Sequence, residues 1–303
     1  MDGLLPLFKE KGMTSHDCVM KIRRIFETKR VGHTGTLDPD VEGVLPICLG
    51  KATKAADYIT LLPKQYEAEI TLGFATDTED ASGIITSSKA VKEDIDASSI
   101  QKVLEGFQGR QQQVPPMYSA LKVKGRKLYE YAREGIEVKR EPRPIEVYDI
   151  SYLEESLKVK ERLVTFRFKV SCSKGTYIRT LSVDIGKRLG YPAHMSDLIR
   201  TSSGPFQLTH CVTLAELNQL KEFGELERAV IPIAEALSYL PYIEIGEELA
   251  EKVKNGAVLP AFPEVKEPMF MILYNKKALA VYEEHPNKPG RIKPKTMLIS
   301  ESS

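Results

Sequence analysis

Between two apolar segments lies a loop whose side chains are chemically overqualified for a turn: Gly32-His33-Thr34-Gly35-Thr36-Leu37-Asp38-Pro39-Asp40-Val41-Glu42-Gly43-Val44-Leu45-Pro46. Glycines at 32, 35 and 43 permit positive φ or close approach of a ligand. Pro39 biases Asp38 toward extended backbone, which presents one carboxylate outward. Three kinds of chemistry fit these residues. The Asp and Gly residues can serve turn formation alone. Asp38, Asp40, Glu42 and Gly43 fall at positions 1, 3, 5 and 6 of an EF-hand spacing, but position 12 is Leu49 where a bidentate Glu is required. The third reading is a reactive carboxylate, Asp38, flanked by an aromatic ring, His33.

Two further residues have the types such chemistry needs. Tyr66 opens an alternating stretch, Tyr66, Ala68, Ile70, Leu72 and Phe74, with polar residues between, the pattern of a half-buried strand. Arg179 falls at the start of a helical stripe, Ile178, Leu181, Ile185 and Leu189, that Gly190 and Pro192 end. A cation in a first helical turn opposes the macrodipole and calls for a compensating anion.

A third cluster suits nucleic acid. Over residues 113–146, Lys122, Lys124, Arg126, Lys127 and Arg133 interleave with Tyr118, Tyr129 and Tyr131. Rings that stack on bases and cations that meet phosphate are the composition of a loop or single-strand RNA contact. A solvated basic hairpin has the same composition.

The elements around these residues define the frame. A strand and turn over 2–13 lead to a helix capped by Thr14, Ser15 or Asp17, with Val19, Ile22, Ile25 and Phe26 inward. Lys21, Arg23, Arg24, Lys29 and Arg30 lie on its remaining surface, as on any solvated helix. A short helix is expected over Ala52–Leu62, another through Ile100, Val103, Leu104 and Phe107, and a strand through Val164, Phe166, Phe168 and Val170. Helical stretches are expected around Ala229–Leu237. Past Pro241, a helix Glu247–Lys254 and three strands, Met269–Tyr274, Ala278–Glu283 and Arg291–Leu298, suggest a small β-rich module. No internal repeat or low-complexity segment occurs.

Composition bounds the class. The chain has 303 residues, 42% hydrophobic and 28% charged, with a net charge of +1. These are globular proportions, and no run reaches the ~18 apolar residues of a membrane span. The near-neutral charge excludes a blanket polyanion binder but not a local basic surface. The N-terminus lacks a basic start and the length of a signal peptide. Cys18, Cys48, Cys172 and Cys211 show no Cys-x-x-Cys, so neither a disulfide framework nor a zinc site is expected, and a reducing cytoplasm fits.

The loop string, continued by Gly43-Val44-Leu45-Pro46-Ile47-Cys48-Leu49-Gly50-Lys51-Ala52-Thr53-Lys54, closely resembles the active-site loop of the bacterial tRNA pseudouridine synthases of the B type. Lys64-Gln65-Tyr66 and the segment from Cys172 to Thr180 match the same family. The usual Lys-Pro-x-Gly is Lys9-Glu10-Lys11-Gly12 here, without the proline. The resemblance implies an α+β pseudouridine-synthase fold, with a mixed, mostly antiparallel central sheet flanked by helices. It further implies a catalytic domain over 1–236, an RNA-binding insert at about 113–146, and a PUA-like RNA-binding domain over 237–303. It places the nucleophile on Asp38, its paired arginine on Arg179 and the catalytic-site tyrosine on Tyr66. His33, Tyr66, Tyr177 and Leu198 become substrate contacts. Lys122, Lys124, Arg126, Lys127, Tyr129 and Arg133 become the grip on the transfer RNA arm. The implied reaction isomerises uridine-55 of the T-loop, with the base flipped from its stack. It needs no cofactor, no metal and no obligate protein partner. Two other classes share part of this equipment. A base-excising glycosidase also brings carboxylates to a sugar, and an RNA chaperone would keep the basic insert without needing Asp38, Tyr66 and Arg179 together.

Overall fold

The computed structural model describes residues 1–91 and 95–299. The chain divides into two compact α+β units, Met1–Leu61 with Ser203–Ser303, and Leu62–Ser202.

In the first unit, the apolar run after Glu42 becomes the strand Glu42–Leu49, buried from Gly43 onward. It pairs antiparallel with Gly3–Lys9, in register from Gly3 opposite Leu49 to Lys9 opposite Gly43. Val31–His33 pairs with it as well, so that His33 lies opposite Ile47. An unbroken apolar run is what a strand covered on both faces requires. The helix Ser15–Ile25 begins at Thr14, whose hydroxyl accepts from the Asp17 N–H while the Asp17 carboxylate accepts from the Thr14 N–H. This reciprocal pair satisfies two donors that a helix start otherwise leaves open. Cys18, Val19, Ile22 and Ile25 form its buried stripe.

The same unit holds a five-stranded sheet in the order Tyr242–Glu244, Met269–Tyr274, Lys277–Glu284, Arg291–Met297, Leu259–Pro260. The three longer strands and the helix Glu247–Lys254 lie where the pattern expects them; the two short edge strands carry too few residues to show alternation. Phe270, Ile272, Ala280 and Tyr282 fill the core of this sheet with Val253 of the helix. Polar ties fasten it to the N-terminal segment: the Tyr58 hydroxyl and Thr296 Oγ1 are 2.8 Å apart, and the Tyr239 hydroxyl donates to the Tyr58 carbonyl at 3.1 Å.

In the second unit, Lys64–Leu72, Leu163–Cys172, Arg143–Tyr152 and Gly109–Gln113 are successive antiparallel neighbours, with Ala193–Ser203 beside Lys64–Leu72. Leu163–Cys172 shows the expected alternation. Helices Ala97–Glu105 and Ile178–Arg188 belong to this unit. Gly186 lets the second helix approach Ala193, since a Cβ there would stand 2.2 Å from the Ala193 Cβ.

Several elements differ from the sequence expectation. The strand through Tyr66 starts two residues earlier, at Lys64, and stops at Leu72, because Gly73 adopts φ +123° and turns the chain. Phe74 therefore belongs to a separate hairpin, Phe74–Thr76 with Ile85–Ser88. The segment expected as one short helix is a 3-10 turn, Gly50–Ala55, followed by the α-helix Ala56–Thr60. Leu214–Glu222 is an additional helix, opened by a Thr213–Glu216 capping box that was present in the sequence as a signal.

Candidate active site

The Asp38 loop occupies residues 34–41, between the strand ending at His33 and the strand beginning at Glu42. Asp38 and His33 are half-buried, while Asp40 is exposed. What fixes the loop is a set of buried bonds to its backbone. Lys9, fully buried at the end of its strand, donates from Nζ to the carbonyls of Val41 at 2.6 Å, Pro39 at 3.1 Å and Glu10 at 3.1 Å. Ser15 Oγ accepts from the Leu37 N–H at 2.9 Å and donates to the Leu37 carbonyl at 3.1 Å. The Gly12 N–H donates to the Pro39 carbonyl at 2.9 Å. Thr34, also fully buried, donates its N–H to the Pro46 carbonyl, and its own carbonyl accepts from Thr60 Oγ1. Leu37 and Val41 point into the core on either side of Asp38. The carboxylate is thus carried on backbone secured at residues 34, 37, 39 and 41.

Two of these supports are invisible to pattern reading. A lysine next to Glu10 and Lys11 reads as surface, yet Lys9 is buried, its charge met by carbonyl oxygens. Ser15 reads as a helix-capping residue, whereas Thr14 caps and Ser15 holds the loop. Within the loop, the Gly35 N–H donates to His33 Nδ1 at 3.3 Å, which orients that ring from its own backbone.

In the second unit, Tyr66 is the third residue of its strand and half-buried. Arg179 is the second residue of the helix Ile178–Arg188 and is buried. Its guanidinium donates from Nη1 to the Thr78 carbonyl at 2.9 Å and from Nη2 to the Tyr118 carbonyl at 2.7 Å, and Nη1 lies 3.4 Å from Asp80 Oδ2. The anion that a cation in a first helical turn calls for is thus supplied within this unit by Asp80. The remaining oxygen of Asp80 accepts from Thr78 Oγ1, the Ser82 N–H and Ser82 Oγ at 2.6–3.0 Å. The acidic loop 76–83 is therefore a mount for Arg179, a role its composition alone did not suggest. Glu79 in the same loop adopts φ +65° and accepts from Thr180 Oγ1 at 2.6 Å; burial pushes its carboxyl above the ordinary range, against the pull of that bond and of Arg179.

Tyr177 caps the same helix start, half-buried, and its backbone is clamped by the buried Gln113: the Tyr177 N–H donates to Oε1 at 2.8 Å and its carbonyl accepts from Nε2 at 3.0 Å. Leu198 is buried in the strand Ala193–Ser203. Lys64, two residues before Tyr66, is buried and donates to the Leu62 carbonyl at 2.6 Å. Burial, with the nearby Arg200 second, lowers its pKa to about 8.

The basic insert is built differently. Lys122–Val123 and Arg126–Lys127 form a two-residue hairpin that leads into the helix Leu128–Arg133. Between Ala120 and Pro144 only Leu128 is buried. The tyrosines face their own cations: Arg126 lies 4.6 Å from the Tyr131 ring centre, and Lys127 and Arg133 each lie 5.3 Å from that of Tyr129. Arg126 also pairs with Glu134 at 2.5 Å. Lys122 and Lys124 are exposed. The rings thus hold cations of their own hairpin and helix.

Against known proteins, a family profile described as "TruB family pseudouridylate synthase (N terminal domain)" matches residues 23–178, and one described as "tRNA pseudouridylate synthase B C-terminal domain" matches 179–238. A protein of Geobacillus thermodenitrificans named tRNA pseudouridine synthase B is 55% identical, over 97% of this chain and 98% of its own. The protein of the same name from Bacillus subtilis is 52% identical, over 100% and 99%. Among solved structures, a chain of a Cbf5–Nop10–Gar1 complex superposes with a TM-score of 0.73 at 28% identity, covering 99% of this chain and 85% of that one. Fold and sequence together define a pseudouridylate synthase. Within that class, the chain belongs to the TruB family.

Proposed function

We propose that this protein isomerises uridine to pseudouridine in transfer RNA, at position 55 of the T-loop. The observation that carries this reading is identity above 50% across essentially the whole chain with relatives named tRNA pseudouridine synthase B. The chemistry asks for what the residues can supply. A C–N glycosidic bond must break, the uracil must turn, and C5 must join the sugar, which requires a flipped nucleotide and an ionised carboxylate.

In this reading Asp38 is the reacting carboxylate and Arg179 the cation that favours its charged form, a guanidinium being able to hold a carboxylate through two bonds. Tyr66 closes the pocket and serves the removal of the C5 proton. His33, Tyr177 and Leu198 contact the flipped nucleotide. Lys122, Lys124, Arg126, Lys127, Tyr129 and Arg133 grip the T-arm, and residues 237–303 act as a PUA-like RNA-binding domain. The protein works in the cytoplasm, where its substrate is made; among the described residues no helix is long and apolar enough to cross a membrane. No step calls for a cofactor.

The decisive experiment is single-turnover pseudouridine formation on unmodified transfer RNA, mapped by chemical adduct and primer extension. Asp38→Asn keeps the side-chain shape and removes the charge. Product should vanish, a loss of at least about 10³-fold, while RNA binding persists. Asp40→Asn and Glu42→Gln should stay near wild type. An active Asp38→Asn, or an Asp40→Asn equally dead, would move the nucleophile elsewhere.

A further inference from the structure

At the far end of the strand that follows the Asp38 loop, the first unit contains a groove of about 620 Å³. One wall is Arg30, Gly50, Lys51, Thr53 and Lys54; the other comprises Lys254, Asn255, Gly256, Met297 and Ile299 of the C-terminal sheet module. Four cations and no carboxylate line it, and no aromatic ring is present.

The four cations are not equivalent. Lys51 is drawn toward Asp2, 3.5 Å away, and Lys254 is paired with Glu251 at 2.5 Å. Arg30 and Lys54 are exposed, and no carboxylate of the described residues forms an ion pair with either. Small-molecule sites are mainly apolar, with a few placed polar groups. A groove edged by unpaired cations and lacking a stacking ring fits a phosphodiester backbone, whose contacts position an RNA without reading its bases.

We propose that this groove holds the sugar–phosphate backbone of the same transfer RNA at a point remote from the target uridine, an inference that rests on the function proposed above. Its distance from the chemistry follows from the strand. The loop enters the strand at Glu42 and the groove begins at Gly50, eight residue steps away. At ~3.3 Å per step this is roughly 26 Å. A nucleic acid reaching both ends must extend that far beyond the target loop, and because an A-form RNA step rises less than the ~3.4 Å of B-form DNA, this is more than about eight base-pair steps. The groove would therefore distinguish a whole transfer RNA from a short hairpin bearing the same loop.

The test uses the full chain with Arg30→Glu and Lys54→Glu combined, and with the neutral pair Arg30→Gln and Lys54→Gln. Binding is measured across a salt series for whole unmodified transfer RNA and for a T-arm stem-loop cut to about four base pairs, shorter than the span above. For the whole RNA, the acidic pair should weaken binding about tenfold or more, and the neutral pair should lower the log–log salt slope by about 0.7–0.9 for each phosphate no longer neutralised. Binding of the short stem-loop should be unchanged. Equal weakening with both RNAs, or none with either, would overturn the proposal. Because the readout is binding, it stays separate from the function itself, whose failure would appear as wild-type protein that makes no pseudouridine.

Discussion

The Asp38 loop and the basic insert are both surface excursions of comparable polarity, yet they are held by opposite means. The loop's backbone is tied by Lys9, Ser15, Thr34 and Gly12, three of these side chains being buried. The insert is held by one buried leucine, a two-residue hairpin and exposed cation–ring and ion pairs. Buried polar ties have one satisfied arrangement and a large penalty for any other, because water cannot replace a missing partner. Exposed ion pairs contribute little and exchange readily for water or phosphate. The contrast fits the two tasks proposed above: a reacting group tolerates little displacement, whereas a grip on a folded RNA must adapt.

The sharpest way to break this contrast is Lys9→Ala. It removes a donor from three carbonyls, of which that of Pro39 keeps the Gly12 N–H, and we expect a loss of about 3 kcal/mol in stability with a fall in turnover beyond the loss of folded protein. Denaturant unfolding and single-turnover assays on the folded fraction read the two separately. Unchanged values in both would mean that the loop is held without Lys9. Ser15→Ala should follow the same direction at about 1–2 kcal/mol, since the Leu37 N–H and carbonyl are both left without a partner. If it proves neutral, the Leu37 groups have found water and the loop is less enclosed than described.

Lys64 sharpens the comparison through pH. Its pKa in the fold, about 8, lies below the unfolded value near 10.5, so between these pH values the unfolded chain binds more protons. Stability from this group should therefore be lowest below pH 8 and rise on the order of 2 kcal/mol as pH climbs toward 10.5. In Lys64→Met that rise should flatten, as checked by urea midpoints at pH 7 and pH 9.5; an equal rise in both proteins would assign it to other groups.

The smallest stability effects belong to the insert. Glu134→Gln should cost less than about 0.5 kcal/mol. It releases Arg126 from its carboxylate, so transfer RNA binding at low salt should tighten by a few-fold. Weaker binding would show that the Glu134 pair builds the RNA-binding form and does not compete with it.

What the sequence revealed follows the range of the interactions involved. Alternation made Leu163–Cys172 legible, and helical spacing with terminal glycines made Glu247–Lys254 legible, because both signals are local. Ala193–Ser203 escaped because its first three residues are all buried and Arg200 further along is buried too, so neither a period of two nor a clean apolar run remains. Arg143–Tyr152 escaped for a related reason: it opens with an exposed Arg-Pro pair that reads as the end of a loop. At the site, resemblance named the residues that would touch substrate. It included Lys9 only as the first residue of a motif and gave no role to Lys9, Asp80 or Gln113, whose partners lie 32, 99 and 64 positions away along the chain. Their side chains alone carry no sign of such distant carbonyls and guanidinium groups.

The pairing of the first strand with residues from the last third of the chain has a consequence for how the protein is made. Leu4 and Ile231 exchange backbone hydrogen bonds, and Leu7 is bridged to Val212. The strand that ends in Lys9 is thus completed by segments more than two hundred residues downstream. Domains on a ribosome generally fold in the order they emerge, but a unit built from both ends of a chain must wait. The entire stretch Leu62–Ser202 is translated before the unit carrying Asp38 can close. The loop-closure entropy of that wait favours slow final assembly, so the Asp38 carboxylate should be among the last parts of a newly synthesised molecule to reach its final position.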